Sequence, residues 1–307
     1  MKAFVLDDFD TTAALRDDLA EPTPDDGELL VRVHASSVNP VDAHIAAGAL
    51  KGMLDYAFPV TLGRDFAGVV EQAGSAVDGY GVGDEVFGFV PMANPALHDG
   101  SWAELITVPA GGHVAARPQT IDLATAGAAP LAGITALAAA DALDPSAGET
   151  VLVVGATGGV GTFFVQLAAA AGANVIAPAL SEDNDYLRSL GVTELVDRSE
   201  DLASSVRDAH PDGVDAILDL ASFTPDASLL AEGGRLASPL GAAGEGPGRF
   251  NLMAQPTPAN LRRLAELIDD GTLRVPIEES FSLSEAAEAM ATLQSRHVQG
   301  KLGLAVQ

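Results

Sequence analysis

The stretch Val151 to Ala177, VLVVGATGGVGTFFVQLAAAAGANVIA, decides how the chain is read. Val151 to Val154 form a short apolar, β-branched run that suits a buried strand. Gly155, Gly158, Gly159 and Gly161 follow at once, an apolar helical pattern begins at Gly161, and Asn174 to Ala177 reads as a second strand. Glycines at a strand-to-helix turn permit a tight bend and let backbone N–H groups approach a diphosphate, whose charge the helix N-terminus stabilises. The turn departs from G-x-G-x-x-G at Ala156, yet strand, helix and second strand stand in the required order. The segment therefore predicts a dinucleotide site built on Gly155, Thr157, Gly158, Gly159, Val160 and Gly161. A loop for nucleotide hydrolysis would carry Lys and then Ser or Thr after its last glycine, where this chain has Thr162 and Phe163.

Working outward, a helix near Asp185 to Leu190 and strands at Glu194 to Asp197, Val214 to Leu220 and Gly234 to Ser238 continue the alternation. That order predicts an α/β Rossmann fold, a doubly wound parallel sheet with helices on both faces. Upstream the pattern changes to short β runs broken by turn residues, Lys2 to Leu6, Glu28 to Ala35, Ala67 to Gln72 and Glu85 to Val90, which suits a partly barrel-like unit. Downstream come a charged amphipathic helix, Pro258 to Asp270, a strand Val275 to Phe281, a helix from Ser284 and a closing strand Gly300 to Val306. A tail of about 50 residues is small for an independent core. It is expected to return to the N-terminal unit, giving one domain from 1–117 and 256–307 and a second from 118–255. The uncharged run Leu123 to Ala140 is rich in Ala and Gly and contains Pro130, so it reads as a buried helix rather than a membrane span.

Composition narrows the partners. Of 307 residues, 43 are Asp or Glu and 16 Lys or Arg, a formal charge of -27 that repels nucleic-acid phosphates and anionic lipid headgroups. The acids are scattered, as a solvated surface requires. There is no cysteine, which excludes disulfides, thiolate catalysis and sulfur-ligated metal sites. The six histidines, His34, His44, His98, His113, His210 and His297, show no ligand spacing, so no metal is expected. Met1 runs directly into the strand-like Lys2 to Leu6 without a secretory pattern, which makes the cytoplasm the default expectation.

A site that prefers NAD ends its second strand with Asp or Glu to hold the ribose 2′-hydroxyl. Pro178 and Ala179 occupy that place here, and Ser181 and Arg198, each just after a strand, are available to a 2′-phosphate. NADPH is the expected cofactor. The alternative for Arg198 is an ordinary surface arginine.

Read together, SSVNPVDAHI, TLGRDFAGVVEQAGSAVDGYGVGDEVFG, GSWAELITVP, PLAGITAL, the glycine segment, DYLRSLG, VDAILDL, GGRLASPLG and GKLGLAV resemble the medium-chain dehydrogenase/reductase superfamily. The resemblance is to its zinc-free quinone oxidoreductase, zeta-crystallin-like branch, and it covers essentially the whole chain. It implies a GroES-like barrel built from both chain ends, an inserted Rossmann domain and an active site between the two. Where zinc alcohol dehydrogenases of the superfamily carry a His-Glu pair, this chain has Arg64 and Asp65, and the cysteines that bind their zinc ions are missing. Without a Lewis acid to stabilise an alkoxide, hydride delivery to a quinone or an α,β-unsaturated carbonyl is the expected reaction.

The resemblance further places Asn39 and Asp42 beside the nicotinamide, with Asn39 as a hydrogen-bond donor to the substrate oxygen. A structural pair between Asp42 and Arg64 is the alternative. His44 is a candidate donor of the final proton, against a wall-lining role, and Tyr56 is a weaker candidate for the same task. Thr135 is implied at the nicotinamide half of the cofactor, with packing or capping as its alternative, and Leu220, Pro239 and Leu240 follow strands whose ends line that pocket. Relatives commonly pair through an edge strand of the Rossmann sheet, so a homodimer is expected. The competing functional readings are a cofactor-binding redox sensor or structural protein without turnover, and a zinc alcohol dehydrogenase.

Overall fold

The computed structural model describes residues 1–92 and 96–307. The chain opens with β1 (Ala3–Leu6), β2 (Ala14–Arg16), β3 (Glu28–Val38), α1 (Pro40–Ala46), β4 (Val60–Thr61), β5 (Asp65–Ala73), β6 (Glu85–Phe89), β7 (Leu105–Pro109), β8 (Val114–Ala116) and α2 (Leu123–Ala126). The alternating middle follows as α3 (Pro130–Leu143), β9 (Thr150–Val154), α4 (Gly159–Ala170), β10 (Asn174–Ala179), α5 (Asn184–Leu190), β11 (Glu194–Asp197), α6 (Leu202–Ala209), β12 (Val214–Asp219), β13 (Leu230–Ser238) and β14 (Arg249–Asn251). It closes with α7 (Pro258–Asp269), β15 (Ile277–Ser282), α8 (Ala286–Ser295) and β16 (Lys301–Ala305). Two units result: Met1–Leu131 with Pro256–Asp269 and Ile277–Gln307, and Ala132–Gln255 with Asp270–Pro276.

In the first unit β3 organises the sheet. Its N-terminal half alternates, so Leu29, Val31 and Val33 enter a core with Phe66, Val70 and Val86. Its last four residues are buried on both faces, which carries Ser36 and Ser37 inside the protein just before α1 begins. The strand order is β15-β16-β3-β5-β6-β8, with β7 also paired to β3, beside a small β2-β1-β4 sheet. β16 runs antiparallel to β3 with Leu302 opposite Val38, so Lys301 at the far end of the chain reaches the start of α1.

The second unit is a six-stranded sheet ordered β11-β10-β9-β12-β13-β14, every pairing parallel. This is the 3-2-1-4-5-6 order of a doubly wound nucleotide-binding sheet, in which ligands meet the carboxyl ends of the strands. β9 lies at its centre, and its continuation is the glycine turn.

Several elements differ from their sequence reading. The uncharged run from Leu123 to Ala140 forms two helices rather than one, because Pro130 has no N–H to extend a helix and disfavours helical backbone before it. Gly127, at the end of α2, allows close packing there: a Cβ would stand 2.8 Å from Ala35 backbone. α4 begins at Gly159 rather than Gly161, since Gly158 already takes the extended N-cap conformation. β13 starts at Leu230 instead of Gly234, crossing Gly233 at φ 78°. Among the described residues no helix is long and apolar enough to cross a membrane.

Candidate active site

The nucleotide cradle is built by backbone. Gly155 has φ 87°, a conformation that side chains other than glycine rarely adopt, and it turns the chain from β9 toward α4. A Cβ on Gly161 would lie 2.2 Å from the Gly155 carbonyl oxygen and 2.7 Å from the Ala156 Cα, so this glycine is required for the helix to approach the strand. Gly158 is different, with φ -74° and only one atom within reach of an added Cβ, the Gly155 oxygen at 3.6 Å. Its open side leaves room for a ligand, and as N-cap it has no side chain to occupy the first helical N–H groups. Thr157 and Val160 are partly exposed on the same turn, and the Leu220 Cβ lies 3.1 Å from an added Cβ on Gly155. These features fit the diphosphate of a dinucleotide.

Ser181 and Arg198 converge on one strand end. Ala179 pairs with Asp197, and the Arg198 N–H donates to the Ala179 carbonyl at 2.9 Å, while Ser181 opens the turn that follows β10. The Arg198 side chain is exposed, and no protein group among the described residues engages its guanidinium. Glu182 and Asp185 are exposed nearby in sequence, whereas Asp183 is buried and accepts from the Leu180 N–H at 3.3 Å. Pro239 and Leu240 follow β13, where the Leu240 N–H donates to Ser238 Oγ at 3.1 Å. Thr135 is buried in α3.

In the first unit, Asn39 follows β3 and caps α1 at 5 % exposure. Its N–H donates to Asp42 Oδ2 at 2.8 Å, its Nδ2 donates to Asp65 Oδ2 at 2.8 Å, and its Oδ1 accepts from Lys301 Nζ at 2.6 Å. Asp65 Oδ2 also accepts from Ser37 Oγ at 2.6 Å, and Oδ1 accepts from the Leu131 N–H at 2.6 Å, in the first turn of α3 where a carboxylate is favoured. Asn39 and Asp42 thus belong to one buried polar cluster. His44 is exposed, two residues beyond Asp42 in α1, and so lies outside it. Tyr56 packs its ring at a tilt against Phe9 and Phe58, its hydroxyl is 3.4 Å from the Ile45 carbonyl, and burial raises its pKa, which makes it a poorer acid.

The alternative partners Asp42 and Arg64 interact electrostatically without a hydrogen bond between them. Arg64 gives its terminal N–H groups to the carbonyls of Pro91 (2.9 Å), Asp99 (2.7 Å) and Thr61 (3.2 Å), and makes no hydrogen bond to Asp42. The two act on each other through space alone. Burial pushes the Asp42 carboxyl up to about 7, against the opposing pull of Arg64 and of the Asn39 N–H. A folded-state pKa raised above 3.8 means that the native protein keeps a proton the unfolded chain releases, so this group costs stability as pH rises from about 4 to about 7. Asp42→Asn retains an acceptor for the Asn39 N–H and removes the charge. Its stability relative to the parent is expected to improve across that window, by up to about 1.4 kcal/mol per pH unit. Paired urea titrations at pH 5 and pH 8 check this; a gap that does not widen with pH contradicts it.

The donor set does not fit zinc. Arg64 is a buried cation beside Asp65, no cysteine is available, and no group of three metal-ligating side chains occurs among the described residues. Sequence reading singled out Asn39 and Asp42 but not Ser37 or Lys301, and it noted Asp65 only for what it replaces. A lysine at the start of an apolar strand ordinarily extends to solvent. Only the pairing of β16 with β3 turns this one inward.

Comparisons with known proteins agree with this construction. Residues 25–119 match the Alcohol dehydrogenase GroES-like domain, and residues 190–303 match a family described as Zinc-binding dehydrogenase. The NADPH-dependent alkenal/one oxidoreductase, chloroplastic, of Arabidopsis thaliana is 31% identical over 313 residues, covering 98% of this chain and 78% of the relative. The Chloroplast envelope quinone oxidoreductase homolog of the same plant is 29% identical, covering 92% and 90%. The solved quinone oxidoreductase from Coxiella burnetii superposes with a TM-score of 0.88 at 30% identity, covering 100% of this chain and 99% of that one.

Proposed function

Because the chain belongs to the medium-chain dehydrogenase/reductase superfamily, we propose that it is a zinc-independent oxidoreductase that delivers hydride from NADPH to a quinone or an α,β-unsaturated carbonyl. The observation that carries this reading is the coexistence of an open glycine cradle with a buried Asn39 whose amide is held as a donor. When bound, the nicotinamide supplies the hydride. The glycine turn holds the diphosphate through backbone N–H groups, with Thr157 and Val160 on the same turn and Thr135, Leu220, Pro239 and Leu240 toward the nicotinamide. Asn39 donates to the substrate oxygen, which takes on negative charge as a carbon accepts hydride, and a donor already oriented there requires no reorganisation. The substrate is already electron-poor at the accepting carbon, so the reaction does not depend on a Lewis acid. His44, exposed at the end of α1, is the proposed source of the final proton, with water as the competing source.

Ser181 and Arg198 carry the preference for the 2′-phosphate. Arg198→Ala is expected to weaken NADPH binding by about tenfold or more, and NADH by less than about twofold, the signature of a lost charge-assisted contact. Equal losses for both nucleotides in a fluorescence titration would assign Arg198 to the surface only. The partner is a small molecule, and a homodimer through an end strand of the six-stranded sheet, β11 or β14, is the proposed assembly. Steady-state oxidation of NADPH with a panel of quinones and enones, in the presence of a chelator, tests the reading directly. Turnover that survives chelation is expected. Tight NADPH binding with no turnover on any acceptor would instead favour a redox sensor or structural protein.

A further inference from the structure

Lys301 is 4 % exposed in a chain where most charges are solvated, and the proposed reaction makes no direct use of it. Its ammonium donates to Asn39 Oδ1 at 2.6 Å and lies 3.4 Å from the Val38 carbonyl and 3.5 Å from Asp65 Oδ2. An ammonium is donor-only and an ionised carboxylate is acceptor-only, so Lys301 on one side and Asp65 on the other leave the Asn39 amide a single orientation. Its oxygen faces Lys301 and its nitrogen faces Asp65.

The nitrogen carries two hydrogens. Asp65 Oδ2 lies 2.8 Å from Nδ2, Ser37 Oγ lies 3.4 Å from it, and these two oxygens are only 2.6 Å apart. They therefore stand on the same side of the nitrogen, and one hydrogen serves both. The second has no acceptor among the described residues.

We propose that Lys301 is a positioning residue: its buried ammonium, delivered by the last strand, locks the Asn39 amide so that Asn39 meets the ligand as a donor to an oxygen lone pair. This rests on the reading that Asn39 contacts the substrate oxygen. Without the ammonium, only the Asp65 carboxylate still favours this orientation, and a flipped amide would present an acceptor to the oxygen that needs a donor. Desolvation lowers the Lys301 pKa, and Asp65 and Asp42 oppose the shift.

The test is a double-mutant cycle on the full chain, assayed for enone reduction with NADPH. Lys301→Met alone is expected to lower kcat about tenfold and leave the KM for NADPH within about twofold, since the cradle belongs to other residues. In an Asn39→Ala background the same change is expected to lower kcat by less than about twofold, because the group it positions is gone. An equal loss in both backgrounds, or no loss in the parent, overturns the Lys301 proposal and leaves the Asn39 assignment standing. An unchanged kcat in Asn39→Ala alone overturns the Asn39 assignment, and the Lys301 proposal with it.

Should Lys301→Met fail to fold, the absence of cysteine offers a second route. Lys301→Cys, alkylated in denaturant with 2-bromoethylamine and refolded, regains an ammonium on a side chain of nearly the same length. Recovery of kcat to within about threefold of the parent is expected. Refolded protein that binds NADPH normally but shows no such recovery overturns the proposal.

Discussion

Asn39→Ala is expected to lower kcat for enone reduction about a hundredfold while NADPH affinity stays within about twofold. Removal of one preorganised donor from a developing oxyanion typically costs two to three orders of magnitude in rate, because the interaction strengthens only as the charge forms. Asn39 is suited to that task by burial at 5 % exposure and by neighbours on both ends of its amide. The change also removes partners from Lys301 and Asp65, so thermal unfolding belongs beside the kinetics. A fall in melting temperature without a fall in kcat would make the cluster structural. A fall in kcat with unchanged nucleotide binding is the outcome that supports a role in chemistry.

Gly161→Ala is expected to raise the Kd for NADPH more than about a hundredfold and to destabilise the second unit by about 2 kcal/mol. Its added methyl carbon would sit 2.2 Å from the Gly155 oxygen and 2.7 Å from the Ala156 Cα, both backbone atoms, so the turn itself must move. The N–H groups proposed to meet the diphosphate move with it. Gly158→Ala provides the contrast. Its Cβ would meet only the Gly155 oxygen at 3.6 Å, at a φ of -74° that alanine adopts freely. The folded state should lose less than about 0.5 kcal/mol, yet the methyl would fill space proposed for the ligand and weaken binding. If the Gly158 variant bound NADPH as tightly as the parent while the Gly161 variant did not, the turn would be structural and the nucleotide would lie elsewhere.

The contrast between these two glycines shows where the sequence was legible. A strand followed by a glycine turn and an apolar helix is a local pattern, and the chemistry of glycine is written at single positions, so the parallel α/β unit could be read from Val151 to Ala177. β11 matches its reading to the residue, Glu194–Asp197, for the same reason. Illegible elements were those where local signals competed. The sequence reading began this strand at Gly234, yet β13 starts at Leu230, which β12 pairs at Val214 before a bulge and a resumed ladder at Arg235. Pro130 looked like an interior helix residue and is the first residue of α3.

The candidate site divides the same way. Asn39 and Asp42 lie three residues apart and share a helix cap, a relation that sequence can suggest. Lys301 meets Asn39 from 262 positions away, through a strand pairing that no local pattern encodes. Asp65 gathers Ser37 from β3, Asn39 from the cap of α1 and the Leu131 N–H from α3. Buried polar clusters of this kind depend on tertiary register, and one misplaced strand would leave each member with an unsatisfied charge or dipole.

In the proposed reaction a hydride leaves the nicotinamide and arrives on the substrate's carbon without a metal. The most direct measurement uses NADPH deuterated at C4, with each stereoisomer supplied separately to the chelator-treated protein and an α,β-unsaturated ketone. Mass spectrometry and NMR of the saturated product are expected to find deuterium at the β-carbon from one isomer only. Product lacking deuterium from both isomers, or NADPH left unoxidised with every acceptor, would contradict the account.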